Sequence, residues 1–143
     1  GSLIGSPVTF VATGKLTLTP ASVDLQISSG TIGIGAYQTV INFDPNKVHL
    51  SASNVTGGTG AGFTGTPLTI NIDNFAGTVV INSFQTGAAT KGNFTVAHLV
   101  FTPIHTGTVT LTLSNPEVYD NGGTAVVPPT VTMSLSATTL TID

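Results

Sequence analysis

The side chains of this sequence that could move a proton or hold a metal ion are six acids and three histidines. The acids are Asp24, Asp44, Asp73, Glu117, Asp120 and Asp143; the histidines are His49, His98 and His105. Acid/base catalysis by carboxylates needs two of them a few ångströms apart, one with a raised pKa. No two of these acids fall at a recognisable catalytic spacing. Asp44 and Asp120 sit among turn residues, where a short carboxylate bonds nearby backbone N–H groups. None of the histidines has a histidine partner two or four residues away, and none has an acid at ligand spacing. His49 falls on the polar phase of its segment, the place of a surface histidine. There is no Cys, which excludes disulfides, thiolate chemistry and Cys-ligated zinc. No Gly-x-Ser-x-Gly elbow is present, and the glycine-rich stretch Gly57 to Gly65 lacks the Lys-Ser/Thr of a phosphate loop. Asp73-Asn74 and Asp120-Asn121 could each seed a calcium loop, but the full Asp-x-Asp-x-Asp-Gly pattern is missing. We therefore expect no catalytic residue, no metal ligand set and no cofactor.

The composition excludes further classes. Charged residues make up 6% of the chain, against about 25% in an average soluble domain. Three Lys, no Arg and six acids give a net charge of -3 at pH 7. A nucleic-acid binder needs a cationic footprint to displace counterions, and three scattered lysines do not make one. No apolar run approaches the roughly 18–20 residues that span a bilayer as a helix. Disorder is disfavoured by abundant Val, Ile, Leu and Phe. At 143 residues the chain has the size of one domain. We take it as residues 3–143, because Gly1-Ser2 has the look of a cloning scar.

Alternation with period two runs through most of the sequence and marks half-buried strands. It predicts strands at Leu16–Thr19, Val23–Ile27, Tyr37–Phe43, Val48–Ala52, Leu68–Ile72 and Val79–Ile81. Further strands are expected at Val96–Phe101, Val109–Leu113, Val131–Leu135 and Leu140–Ile142. Between them lie turn residues, including Asp44-Pro45-Asn46, Gly65-Thr66-Pro67, Asn115-Pro116 and Asn121-Gly122-Gly123. No helical periodicity of useful length occurs. One turn near Pro45 to Val48 is expected, with Asp44 as its cap and Pro45 in first position. About nine short strands at this spacing specify an all-β, antiparallel β-sandwich.

Sugar-binding sandwiches stack pyranose rings on exposed planar aromatics, usually Trp, and this chain has none. Tyr37, Phe10, Phe43, Phe84 and Phe101 mostly fall in the apolar phase; Phe63, Phe75 and Tyr119 lie in or near loops. These scattered rings make a poor platform for a glycan. Asn54-Val-Thr56 and Asn93-Phe-Thr95 are sequons, which a Thr- and Asn-rich chain also produces by chance.

One segment goes beyond generic sandwich chemistry. Gly33-Ile-Gly-Ala-Tyr-Gln-Thr-Val-Ile-Asn-Phe-Asp-Pro-Asn-Lys-Val-His-Leu50 resembles the signature of the cohesin family, in which a strand ending in Tyr/Phe-Asp-Pro precedes a short turn and a Leu- or Val-led strand. Gly77–Phe84 is similar to that family's central apolar strand, Asn93–Phe101 to its alternating strand, and Asn115–Gly123 to the loop before its closing strand. The resemblance implies a nine-stranded jelly-roll sandwich with a non-catalytic role. Cohesins dock the dockerin module of another protein on one sheet, in cellulosome scaffolds and in non-cellulosomal surface proteins. It thus implies an extracellular or cell-surface setting, a dockerin-bearing partner and a place within a larger protein.

On the strand before Phe43 the outward phase is Ala36, Gln38, Val40 and Asn42. Many cohesins carry Asn and Asp in this phase, where Ala36 and Gln38 stand here. Neighbouring strands are expected to add Thr69, Asn71 and Asp73, then Val80 and Asn82, then Thr108, Thr110 and Thr112. The result is a flat plate of short, stiff side chains that lose little entropy on docking. Such a plate suits a helix laid across it, although exposed Thr also favours strands without any partner. An alternative from another class is a structural or adhesive repeat of a surface-layer, stalk or pilus protein, touching its neighbours through strand edges. A carbohydrate-binding module is a third, weaker alternative.

Overall fold

The structure is a computed structural model that describes residues 18–143. The expected strand from Leu16 begins outside these residues, as does Phe10, and Leu18–Pro20 carries no strand. The chain then lays down β1 (Ala21–Ser28), β2 (Ile34–Asn42), β3 (Val48–His49), β4 (Val55–Gly57), β5 (Thr69–Asp73) and β6 (Thr78–Phe84). It continues with β7 (Asn93–Pro103), β8 (Gly107–Thr110), β9 (Thr112–Asp120), β10 (Ala125–Val126), β11 (Thr132–Leu135) and β12 (Thr139–Ile142). Two antiparallel sheets face each other. One has the order β11-β1-β7-β3, with β4 also on β7; the other has the order β10-β9-β2-β6-β5. A ribbon of β8 and β12 completes the fold. Successive strands cross between the sheets at β1–β2, β2–β3, β4–β5 and β6–β7, which is how a jelly roll is wound. The described residues contain no helix long and apolar enough to cross a membrane.

The alternation does what period two requires. Val23, Leu25 and Ile27 are buried while Asp24 and Gln26 stay partly exposed, and Tyr37, Thr39, Ile41 and Phe43 are buried together. These side chains meet Val79, Ile81, Val96, Leu99 and Phe101 between the sheets. Aromatic rings fill the widest parts. Tyr37 meets Phe63 edge-on at 5.6 Å, Phe63 stacks on Phe94 at 6.2 Å, and Phe43 meets Phe101 at 5.3 Å. Phe63, expected in a loop, is in a loop but folded inward into this core. The Tyr37 hydroxyl is buried with no hydrogen-bond partner among the described residues. Burial pushes its ionisation well above the ordinary tyrosine value.

Three aspartates act as the turn chemistry requires. Asp44 Oδ1 accepts from the Asn46 amide at 2.9 Å, and its carbonyl accepts from Lys47 and Val48, both at 3.1 Å. The expected turn after Phe43 is therefore present, capped by Asp44. Asp73 Oδ1 accepts from Phe75 and Ala76, and Asp120 Oδ1 from Gly122 and Thr124, each at 2.9 Å. Gly77, with φ +79°, closes the β5–β6 hairpin in the left-handed region. A 3-10 turn at Ala52–Asn54 separates β3 from β4.

Three differences from the expected strands have local causes. Asn115-Pro116 is not a turn between strands but a bulge inside β9. Asn115 takes φ +50°, and Pro116, which has no N–H to offer a ladder, sits where the register with β2 shifts. The run Val109–Leu113 is split, because the Leu111 amide bonds the Thr138 carbonyl and draws the chain before it to β12. The expected Val48–Ala52 strand is cut to two residues, and β4, which no alternation announced, resumes the pairing on β7.

Asn74 ties the two sheets at one edge. Its Oδ1 accepts from the Leu50 amide at 2.9 Å and its Nδ2 donates to the Leu50 carbonyl at 3.0 Å, so one side chain stands in for a strand partner. Asn74→Ala should lower the free energy of unfolding by about 1–3 kcal/mol, because both Leu50 groups lose their partner. An unchanged urea midpoint would remove this role. Tyr37→Phe, by contrast, deletes only an unpaired hydroxyl and should be neutral or raise stability by up to about 1 kcal/mol in the same assay.

Candidate functional site

The outer face of the β10-β9-β2-β6-β5 sheet is built by cross-strand pairing, since directly opposed residues share a face. From the registers, one row runs Thr69–Asn82–Gln38–Glu117 and the next Asn71–Val80–Val40–Ser114. A third row is Asp73–Thr78–Asn42–Thr112, and at the other end lies Phe84–Ala36–Tyr119–Ala125. Ten of the twelve plate residues named from the sequence (Ala36, Gln38, Val40, Asn42, Thr69, Asn71, Asp73, Val80, Asn82 and Thr112) thus stand on adjacent positions of one sheet.

Thr108 and Thr110 do not join them. They lie in β8, paired with β12, past the point where β2 ends opposite Thr112. The cause is the handover at Leu111 described above. Thr108 instead supplies a carbonyl to Lys47 Nζ at 3.0 Å.

The face is held by neutral hydrogen bonds. Asn82 Nδ2 donates to Gln38 Oε1 at 3.4 Å, and Asn42 Nδ2 donates to Ser114 Oγ at 2.7 Å and Thr112 Oγ1 at 3.1 Å. Val40 and Val80, half-buried and opposed, form its apolar centre. Gly35 lets the far end close: a Cβ there would lie 2.8 Å from the Asp120 carbonyl oxygen, at a register shift between β2 and β9. Two carboxylates lie on the face. Asp73 is engaged in its turn, and Glu117 accepts the Tyr119 hydroxyl at 2.5 Å.

Six residues of these rows were not anticipated, among them Phe84, Glu117 and Tyr119. Phe84 was expected in the apolar phase, yet it is 64% exposed. The parity that sends Val80 and Asn82 outward carries Phe84 with them, so the signal was present and its hydrophobicity obscured it. Glu117 and Tyr119 belong to a segment expected to be a loop, and only the β9 bulge puts them in register with β2.

On the opposite sheet, Asp24 and His98 face each other across β1 and β7, with Nδ1 and Oδ1 2.6 Å apart. No sequence spacing shows this pair, because the sheet joins positions far apart in the chain. Both side chains are about two-fifths exposed (38% and 43%), and an exposed pair of this kind contributes little. Among the described residues no group of three or more His, Asp or Glu could hold a metal ion.

With this geometry in hand, solved structures give the comparison. A non-cellulosomal cohesin from the hyperthermophilic archaeon Archaeoglobus fulgidus matches with a TM-score of 0.61 at 14% identity, over 76% of this chain and 73% of that one. This chain has the cohesin fold. A type II cohesin domain from the cellulosome of Acetivibrio cellulolyticus matches at TM-score 0.60 and 16% identity, over 79% and 85% of the two chains. A chain of a type I cohesin–dockerin complex from Clostridium thermocellum, Coh-OlpC with Doc435, matches at 0.61 and 12%, over 76% and 78%. No protein-family model and no curated protein matches the sequence. The likeness is one of fold.

Glu117 offers a direct probe of the face. Its hydrogen bond and its charge hold the Tyr119 phenol above the ordinary tyrosine pKa. Glu117→Gln removes the charge and should move the first tyrosine step of an ultraviolet pH titration down toward about 10. Tyr37, the only other tyrosine, is buried and titrates later. A first step that stays in place would show that the pair does not form in solution.

Proposed function

We propose that this chain is a non-catalytic recognition module that docks a dockerin-type partner on the outer face of the β10-β9-β2-β6-β5 sheet. The observation that carries the proposal is the plate itself. Three registered rows, mostly of short Thr, Asn, Gln, Ser and Val side chains, hold the apolar pair Val40–Val80, and a fourth row carries exposed Phe84 at one end. Five strands at about 4.8 Å spacing make a surface about 19 Å across, the length of roughly a dozen helical residues. A helix laid on it would press apolar side chains on Val40, Val80 and Phe84 and meet amides and hydroxyls on either side. The cohesin fold supports the same assignment, since the Clostridium thermocellum neighbour comes from a cohesin–dockerin complex. On this proposal the module belongs to an extracellular or cell-surface scaffold, and Ala36, Gln38, Val40, Asn42, Thr69, Asn71, Val80 and Asn82 form its contact surface.

Such a partner is selected by shape and neutral hydrogen bonds, because charge steering has few charges to act through. Isothermal titration against candidate dockerin modules should give micromolar or tighter binding. Placing bulky cations at the centre, with Gln38→Arg and Asn82→Arg together, should weaken it by at least about 100-fold. Raising the salt from about 50 to about 500 mM should change the affinity by less than about threefold. Unchanged affinity in the double variant would exclude this face, and a collapse with salt would exclude neutral recognition.

A further inference from the structure

We infer that β5 is a self-pairing edge, through which two copies of this chain join antiparallel about a two-fold axis at Asn71. This inference stands apart from the docking proposal, because it concerns the rim of the sheet rather than its face. β5 ends the sheet order, and among the described residues nothing hydrogen-bonds to its outer side. The 3-10 turn at Ala52–Asn54 comes close to it without bonding to it.

Exposed edges in natural sheets are guarded by Lys, Pro, a bulge or extreme shortness. Thr69-Ile-Asn-Ile-Asp73 has five residues in unbroken register with β6, no Pro and no Lys. Of the other rims, β10 has two residues, β3 and β4 are separated by the 3-10 turn, and β11 has four residues, one fewer than β5. The net charge of -3 offers little repulsion between copies.

The backbone sets the register. Asp73 accepts from Gly77 inside the hairpin, so its carbonyl points toward β6. Because backbone polar groups alternate sides along a strand, Thr69, Asn71 and Asp73 aim theirs at β6. Ile70 and Ile72 aim their N–H and C=O at the open rim. A two-fold at Asn71 places Ile70 opposite Ile72 of the other copy, twice, and the two hydrogen-bonded pairs exchange four main-chain bonds.

The same register matches the apolar ends. The antiparallel two-fold brings the turn after Asp73 of one copy, which carries Phe75, to the end of the seam where Leu68 precedes Thr69 of the other. Phe75 is 96% exposed and Leu68 60%, the two most exposed large hydrophobics flanking this strand. Ile70 and Ile72, half-buried in the single chain, would cover one another across the new seam. The complement of this edge is therefore a second copy of itself.

The chain has no cysteine, which makes the axis directly testable. In Asn71→Cys the two thiols face each other at a non-hydrogen-bonded position, with Cα atoms about 4.5 Å apart, within disulfide range. In Thr69→Cys they are about 13 Å apart and should not join. Mild oxidation should convert Asn71→Cys, and not Thr69→Cys, to a covalent dimer. Sedimentation of the unmodified chain between about 10 and about 300 µM should show reversible dimers, weakened at least about tenfold by Phe75→Asp, a change in an exposed turn that leaves the fold intact. A chain that stays monomeric throughout that range, or equal crosslinking of the two cysteine variants, would overturn the inference.

Discussion

The ladder between β2 and β6 runs through seven residue pairs, from Ala36–Phe84 to Asn42–Thr78, without a bulge. Because side chains alternate strictly across a strand, this one register decides two surfaces together. It turns Tyr37, Thr39 and Ile41 inward against Val79, Ile81 and Ser83, and turns Gln38, Val40 and Asn42 outward beside Val80 and Asn82. A slip of β2 by one residue would put Gln38 and Val40 in the core and expose Tyr37 and Ile41. The apolar packing of the interior therefore fixes the pattern of the polar face. The hydrogen bonds of the face, from Asn82 to Gln38 and from Asn42 to Ser114, then act on side chains the interior has already aligned.

On the other side of β2 the pairing is irregular, and the irregularity is accommodated locally. The β9 bulge leaves Thr39 without an opposed residue. Thr39 is buried, and its hydroxyl donates to the Ser114 carbonyl at 3.1 Å, so a side chain supplies the bond that the ladder omits. Pro116 falls within the break, where its missing N–H leaves no partner unsatisfied. The strand can then carry Glu117 and Tyr119 to the far rows, while its other end turns at Leu111 to meet β12. The extent of the plate is thus set by where β9 leaves β2, a matter of backbone pairing rather than of residue type.

This distinction accounts for what could be read from the sequence. The strands with clean alternation, β1, β2, β5 and β6, were legible, and with them the nine plate residues those strands carry. Asp44 and Asp120 were legible as turn residues because an Asx turn is local chemistry. Thr108 and Thr110 have the same parity and composition as Thr112, and nothing within the strand says which neighbour it pairs with. The Asp24–His98 contact is of the same kind, since cross-strand partners are a property of the register. Phe84 shows the opposite error, in which residue type overrode parity. Asn115-Pro116 shows a third: turn residues also build bulges, and only the partner strand tells the two apart.

The low charge content links the face to the rim. A sheet whose exterior is mostly Thr, Asn, Gln and Val, with Asp73 and Glu117 its two carboxylates, can bury most of that surface without desolvating an ion, which is the larger cost when charged faces meet. The same substitution of hydroxyls and amides for Lys and Glu removes the usual means of keeping strand edges apart. Face and rim are therefore not independent features of this chain. A β5 strand carrying Lys at position 71 would guard the edge, yet would place an ammonium beside Val80 on the plate. In a sheet where Asn71 belongs to both surfaces, neutrality on the face removes Lys at that position as a guard of the edge. The chemistry suited to neutral recognition is the same chemistry that leaves the strand open to its own kind.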